Sequence, residues 1–125
     1  MKELIKECVK EILTGKEEVK PNEIPSITDF NLGKICMFRT YSAGVHFGTL
    51  VAKEDQTCLV KDSRRVYYWK KAASLSQLAL EGDGDIENCK IAIKIPFITL
   101  EKVIEVIPMS DMAIEVLFGA KEWKV

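Results

Sequence analysis

From Lys34 onward the sequence takes on a period of two, and that period commits most of the chain to strands. KICMFRTY and VHFGTLVAK, starting at Lys34 and Val45, are rich in β-formers. Ser42, Ala43 and Gly44 between them predict a tight hairpin with Gly44 in the left-handed region. Glu54, Asp55 and Gln56 predict the next turn. TCLVK and RVYYW, residues 57–61 and 65–69, read as one strand interrupted at Asp62 and Ser63, where a bulge or bend re-aims Arg64 and Arg65. Residues 72–80 predict one or two helical turns, and EGDGDIEN, residues 81–88, an acidic loop. CKIAIKIPF alternates until it meets Pro96, and LEKVIEVI alternates until Pro108. Ser110 is placed to cap a last helix that Gly119 stops.

The first residues keep a different period. Leu4, Ile5, Cys8, Val9, Ile12 and Leu13 fall at spacings of one, three and four with lysines and glutamates between them, which predicts an amphipathic helix over 1–15. A polar linker with Pro21 and Pro25 occupies 16–32, so the apolar stripe can pack on its own chain or on a partner subunit. The expectation is an α+β chain of one domain over 1–125. Its β-rich core, over 33–125, is a mainly antiparallel sheet or small sandwich, with the N-terminal amphipathic helix and a short C-terminal helix.

Composition narrows the function classes. No run approaches the roughly 20 apolar residues that span a bilayer. The opening MKELIKECVKEIL alternates charges where a signal peptide has an apolar core, so the chain is expected in the cytoplasm and off the membrane. Cys8, Cys36, Cys58 and Cys89 stand singly and only one histidine is present, which argues against zinc and for reduced, buried thiols. No metal or cofactor is expected. A net charge of −1 argues against a general DNA or RNA coat protein.

That figure hides a basic middle. Residues 33–71 hold eight lysines and arginines against three acidic residues, a net of +5 between flanks at −2 and −4. All three arginines lie there with the single histidine. Arg39 precedes the small-residue turn, whose amides from Ser42, Ala43, Gly44 and Val45 can approach a phosphate or simply close a hairpin. In a regular strand Arg65, Tyr67 and Trp69 share a face, which suits either a base and its phosphate or a packed interface. His46 has no nucleophile or carboxylate at a catalytic spacing, so it reads as packing or hydrogen bonding. The carboxylates Asp83, Asp85 and Glu87 read as an ordinary acidic loop. Trp123 is expected to cover a surface or an interface.

RTYSAGVHFGTL, the segment leading into DSRRVYYWKKAASLSQLAL, and VIEVIPMSDMAIEVL together resemble the phage-encoded Thoeris anti-defence proteins of the first kind. The resemblance covers roughly residues 35–118; the N-terminal helix and the 81–88 loop match less clearly. It implies a binding protein rather than an enzyme, one that captures cyclic ADP-ribose isomers made by bacterial TIR-domain proteins and holds them intact. It further implies cyclic di- or trinucleotides as additional ligands, assembly as a homodimer or a hexamer of three dimers, and residence in the host bacterial cytoplasm. DNA and RNA are not expected partners. The residues expected to hold the ligand are Arg39, Arg64 and Arg65 for pyrophosphate or ribose, the turn Ser42, Ala43, Gly44 and Val45 for backbone donors, and Tyr67 and Trp69 for stacking. His46 and Phe47 are secondary. Three rivals stay open: a small β domain that binds a nucleic-acid strand, an enzyme that cleaves the nucleotide signal with His46 as acid or base, and an assembly module.

Overall fold

The computed structural model describes Ser26, Ile27 and residues 30–125. The chain divides into two units between Phe30 and Asn31. In the first, the Phe30 N–H donates to the Ser26 carbonyl at 3.1 Å. The helix expected over 1–15 and most of the 16–32 linker lie outside the described residues.

The second unit is an antiparallel sheet of six strands with two short helices. The strands are β1 (Ile35–Thr40), β2 (Val45–Glu54), β3 (Thr57–Tyr68), β4 (Lys90–Ile91), β5 (Ile95–Leu100) and β6 (Val103–Pro108). The helices are α1 (Leu75–Glu81) and α2 (Asp111–Phe118), with a single 3-10 turn at Ile86–Asn88. From one side to the other the order is β3, β2, β1, β6, and the outer edge of β3 pairs with β5 along its first half and with β4 along its second.

Elementary geometry makes this sheet curl. β5 and β6 occupy its two sides, four strand spacings apart, which is about 19 Å if the sheet is flat. Yet Glu101 and Lys102 alone separate Leu100 from Val103, a reach of about 11 Å at most. The sheet therefore rolls into a partly open barrel, drawn together at Lys102, whose φ is +54°. The Lys102 carbonyl accepts from Tyr41 N–H, beside the β1–β2 turn, and Val103 N–H donates to Gln56 in the β2–β3 turn, each at 2.9 Å. Two bulges in the pairing of β2 with β3 let these long strands bend. One inserts a residue in β3 at Asp62, whose φ is +53°, and the other a residue in β2 at Val51.

Two cores lie on opposite faces of the sheet. Cys36, Phe38, Leu50, Cys58, Val60, Leu100 and Val103 fill the barrel. Met37, Phe47, Val66 and Ile91 form the other face and are covered by Leu78 and Ala79 of α1 and by Ala113 and Leu117 of α2. Successive β1 residues point to opposite faces, so Cys36, Met37 and Phe38 can all be fully buried only because both faces are covered. The Ser110 cap is the one read from the sequence, and Ser74 is a second that was not. The Ser110 hydroxyl accepts from Ala113 N–H and donates to the Leu80 carbonyl, while Ser74 caps α1 by accepting from Gln77 N–H.

Two expected boundaries move. The alternation over 89–97 is not one strand: β4 ends at Ile91, and 92–94 carry the chain from the second half of β3 to the first. Pro96 then sits in β5, with its missing N–H on an edge strand where no ladder bond is lost. The alternation starting at Leu100 is cut by the Lys102 turn, because Leu100 belongs to β5.

Cys36, Cys58 and Cys89 are free and buried. Burial pushes the Cys36 thiol up to about 12 and Cys89 to about 11, and raises Cys58 as well. The thiolate is the nucleophile, so all three are expected to alkylate with iodoacetamide at pH 8 at least about 100-fold more slowly in the folded chain than in urea. Peptide mapping by mass spectrometry reads this directly. Equal rates in both states would contradict the buried placement.

Candidate functional site

The Asp62 bulge decides where the paired arginines go. Before it, Cys58 and Val60 face the barrel, and the extra residue shifts the alternation so that odd positions face inward after it. Arg64 pairs with Phe47 and is turned toward the helices; Arg65 pairs with His46 and is turned the other way.

Arg64 is 3% exposed, and its donors are committed to main-chain carbonyls. Nε donates to Ala92 at 2.8 Å, and one terminal nitrogen donates to Leu117, Phe118 and Ala120 at 3.1, 3.1 and 2.9 Å. Ile91 and Lys121 lie at 3.4 Å from the other. Leu117 and Phe118 close α2, where the helix dipole is negative and a cation is favoured; Ala120 and Lys121 follow in the tail, and Ile91 and Ala92 lie at the end of β4. Arg64, expected among the ligand-holding residues, thus has no donor turned to solvent. It caps a helix.

His46 is 2% exposed and shares an inner-facing position with Phe38 through their register. Its Nε2 lies 2.8 Å from the Ala43 carbonyl, which assigns the proton to that nitrogen. Burial lowers its pKa; the Ala43 carbonyl opposes this and the nearby Arg65 cation adds to it. Phe47 is fully buried and meets Phe118 edge to face at 4.8 Å. Neither side chain is presented to a ligand.

The turn is wired by Thr40. Ala43 N–H donates to Thr40 Oγ1 at 2.7 Å, and the Gly44 carbonyl accepts from both Thr40 N–H and Thr40 Oγ1. The Ala43 amide is therefore occupied. Gly44 has a φ of +83°, as the hairpin requires, and its Cα faces the Arg65 guanidinium so closely that an added Cβ would lie 3.2 Å from it. Ser42, Gly44 and Val45 line a shallow depression with Arg39, which is exposed and 3.2 Å from Glu105. Arg39 pairs with Val45 and Arg65 with His46, so the two guanidinium groups stand on opposite faces of the sheet.

The structure brings Arg65 and Tyr67 together, with the guanidinium 5.0 Å from the ring centre. Trp69 is not with them. β3 ends at Tyr68, the chain turns, and Trp69 packs on the helix-side core instead. The second ring comes from the C-terminal tail, where Trp123 lies 5.1 Å from Tyr67 with its plane tilted by 58°. Lys90 stands over the Trp123 ring, 5.4 Å from its centre. Cation, ring, ring, cation: Arg65, Tyr67, Trp123 and Lys90 form one continuous, half-exposed surface. Beside it lies an open depression of about 470 Å3, lined by Lys90, Lys121, Trp123 and Lys124 on its basic side and by Glu87 and Glu122. Sequence spacing had no means of pairing Tyr67 with Trp123, since their meeting depends on β4 and the tail.

Behind this surface the acidic loop is a clamp. Asp83 is buried and accepts from the N–H groups of Lys70, Lys71 and Asp85, each at 2.8 Å. Burial works to raise its pKa, but these donors outweigh it and hold the carboxyl below its ordinary 3.8. Among the described residues no group of histidine, cysteine, aspartate and glutamate is placed to hold a metal.

These groups set an acid response. His46 resists its proton when folded, so the unfolded chain binds one first, and stability falls from pH 6.5 down to the lower folded value. Asp83 contributes stability above 3.8 that is lost as pH drops through its depressed folded value. Urea midpoints between pH 8 and 3 should show both steps. Asp83→Asn should remove the second and cost about 2 kcal/mol at pH 7. A flat profile from pH 7 to 5 would rule out the buried neutral histidine.

Among the described residues no helix is long and apolar enough to cross a membrane. No curated protein matches the sequence. Among solved structures, the chain is similar to a heptameric archaeal Sm protein, at 12% identity and a TM-score of 0.40, over 64% of this chain and 91% of that one. Residues 33–117, which run from the start of the sheet to the end of α2, match a family described as a domain of unknown function, DUF6948, and the chain belongs to that family.

Proposed function

We propose that this chain is a nucleotide-signal sponge: it binds a TIR-derived cyclic ADP-ribose isomer and keeps it from its receptor without cleaving it. The observation that carries the reading is the surface of Arg65, Tyr67, Trp123 and Lys90, where two rings offer faces to a base and a cation at each end reaches a phosphate. The resemblance drawn from the sequence supplies the particular ligand. A sponge gains nothing from turnover and needs about −12 kcal/mol for nanomolar affinity. Assembly into dimers or hexamers, and a second site for cyclic di- or trinucleotides, belong to the same proposal. Light scattering of the full chain tests the first and competition binding the second.

The deciding experiment incubates the protein with the TIR-derived isomer, removes the protein, denatures it and analyses what is released. Intact ligand recovered only on denaturation supports sequestration. A cleaved product would make the protein an enzyme. Binding of oligonucleotides with steep salt dependence, and none of the isomer, would favour a nucleic-acid domain. Arg65→Ala and Tyr67→Ala should each weaken binding by about 1–3 kcal/mol in calorimetry with the melting temperature little changed. Arg39→Ala, on the other face of the sheet, should leave it unchanged.

A further inference from the structure

The C-terminal tail, residues 119–125, belongs to no helix or strand, yet it is fixed at two points. At its root Arg64 takes the carbonyls of Phe118 and Ala120, with Lys121 at 3.4 Å. Further along, Trp123 N–H donates to the Ile91 carbonyl at 2.8 Å. The same guanidinium holds Ala92 and approaches Ile91, so one side chain grips both the tail and the strand end on which the tail lies. The Trp123 ring is 48% exposed and burial alone does not hold it. Its place on Tyr67 depends on the main chain beneath it.

We infer that Arg64 is a positioning residue: it anchors the tail so that the Trp123 ring is kept against Tyr67, and a ligand meets two rings already in place. A preordered platform does not lose tail entropy when the ligand arrives, so the anchor acts on affinity from a distance. The consequence for binding rests on the sponge reading. The anchoring itself can be observed with no ligand present.

In a Trp69→Phe chain Trp123 is the only tryptophan. Adding Arg64→Lys keeps a positive charge but gives up the planar fork that reaches several carbonyls at once. Acrylamide quenching of Trp123 should rise by at least about threefold, with the sheet still folded by circular dichroism. Affinity for the TIR-derived cyclic ADP-ribose isomer should fall by about tenfold or more, and Trp123→Ala should cause a similar loss that is not additive with it. Unchanged quenching overturns the anchoring, and raised quenching with undiminished binding overturns its role in the platform. If the parent chain does not bind the probe, the sponge reading falls while quenching still decides the anchor. Should Arg64→Lys not fold, native-state hydrogen exchange on the unaltered chain decides instead. Arg64 Nε–H and Trp123 N–H should exchange in one opening with the same denaturant dependence. Free exchange at Trp123 while Arg64 stays protected would overturn the proposal.

Discussion

Arg64→Ala should destabilise the Asn31–Val125 unit by about 3–5 kcal/mol, a large share of the 5–15 kcal/mol that folded domains typically possess. The substitution strips the cation from four carbonyls within 3.1 Å, those of Leu117 and Phe118 at the end of α2, Ala120 in the tail and Ala92 after β4, and leaves them largely shut off from water. An unsatisfied buried carbonyl loses its solvation without compensation, which is why the cost exceeds that of an average hydrogen bond. It should also exceed that of Arg39→Ala, whose exposed pair with Glu105 contributes about 0–1 kcal/mol. Urea denaturation followed by circular dichroism measures both. A loss below about 1 kcal/mol for Arg64→Ala would mean that water or a rearranged tail replaces the guanidinium.

Gly48→Ala should be the next most damaging change, at about 2–3 kcal/mol. The methyl would lie 2.7 Å from Val60 Cγ1, 2.8 Å from the Lys61 carbonyl oxygen and 3.1 Å from Ser63 Cα. Two of those neighbours are main chain at the Asp62 bulge, so relief requires moving the bulge itself. The bulge determines that Arg65 faces the aromatic surface and Arg64 the helices, so the cost should appear in binding as well as in stability. Gly44→Ala differs in kind. There the nearest atom belongs to the flexible Arg65 side chain, and the penalty comes from a φ of +83°. A Gly48→Ala chain of unaltered stability would show that the two strands can separate at the bulge at no cost.

The first three strands were legible because each alternates, and Gly44, Asp62 and Ser110 mark a turn, a bulge and a cap by their own chemistry. The re-aiming of the arginine pair at Asp62 follows from the same alternation. What the sequence hid are relations between distant segments. Arg64 and Ala120 are far apart in the chain, and nothing near Arg64 announces a helix end waiting for a cation. Trp69 looked like the partner of Tyr67 because the alternation was carried one residue past the end of the strand. The true partner, Trp123, reaches it only because Lys90 and Ile91 pair with β3 and the tail lies on them. His46 and Phe47 illustrate the same limit. Both sit in β2 where its two faces are covered, so position in the alternation no longer separates inside from outside.

The shared outer edge of β3 also divides the chain by how freely its length can vary. Residues 69–89 leave that edge and β4 brings the chain back to it, so they form a closed excursion whose two ends are held. Closure entropy grows only with the logarithm of loop length, and doubling such an excursion costs about 0.6 kcal/mol. The Glu101–Lys102 link has no such latitude, because its shortness is what draws the two sides of the sheet together. Growth and loss of sequence are therefore costly at Lys102 and cheaper within the excursion, away from the Asp83 clamp and the buried Leu78 and Ala79 of α1. The fold can acquire new surface next to its aromatic platform without disturbing the barrel that supports it.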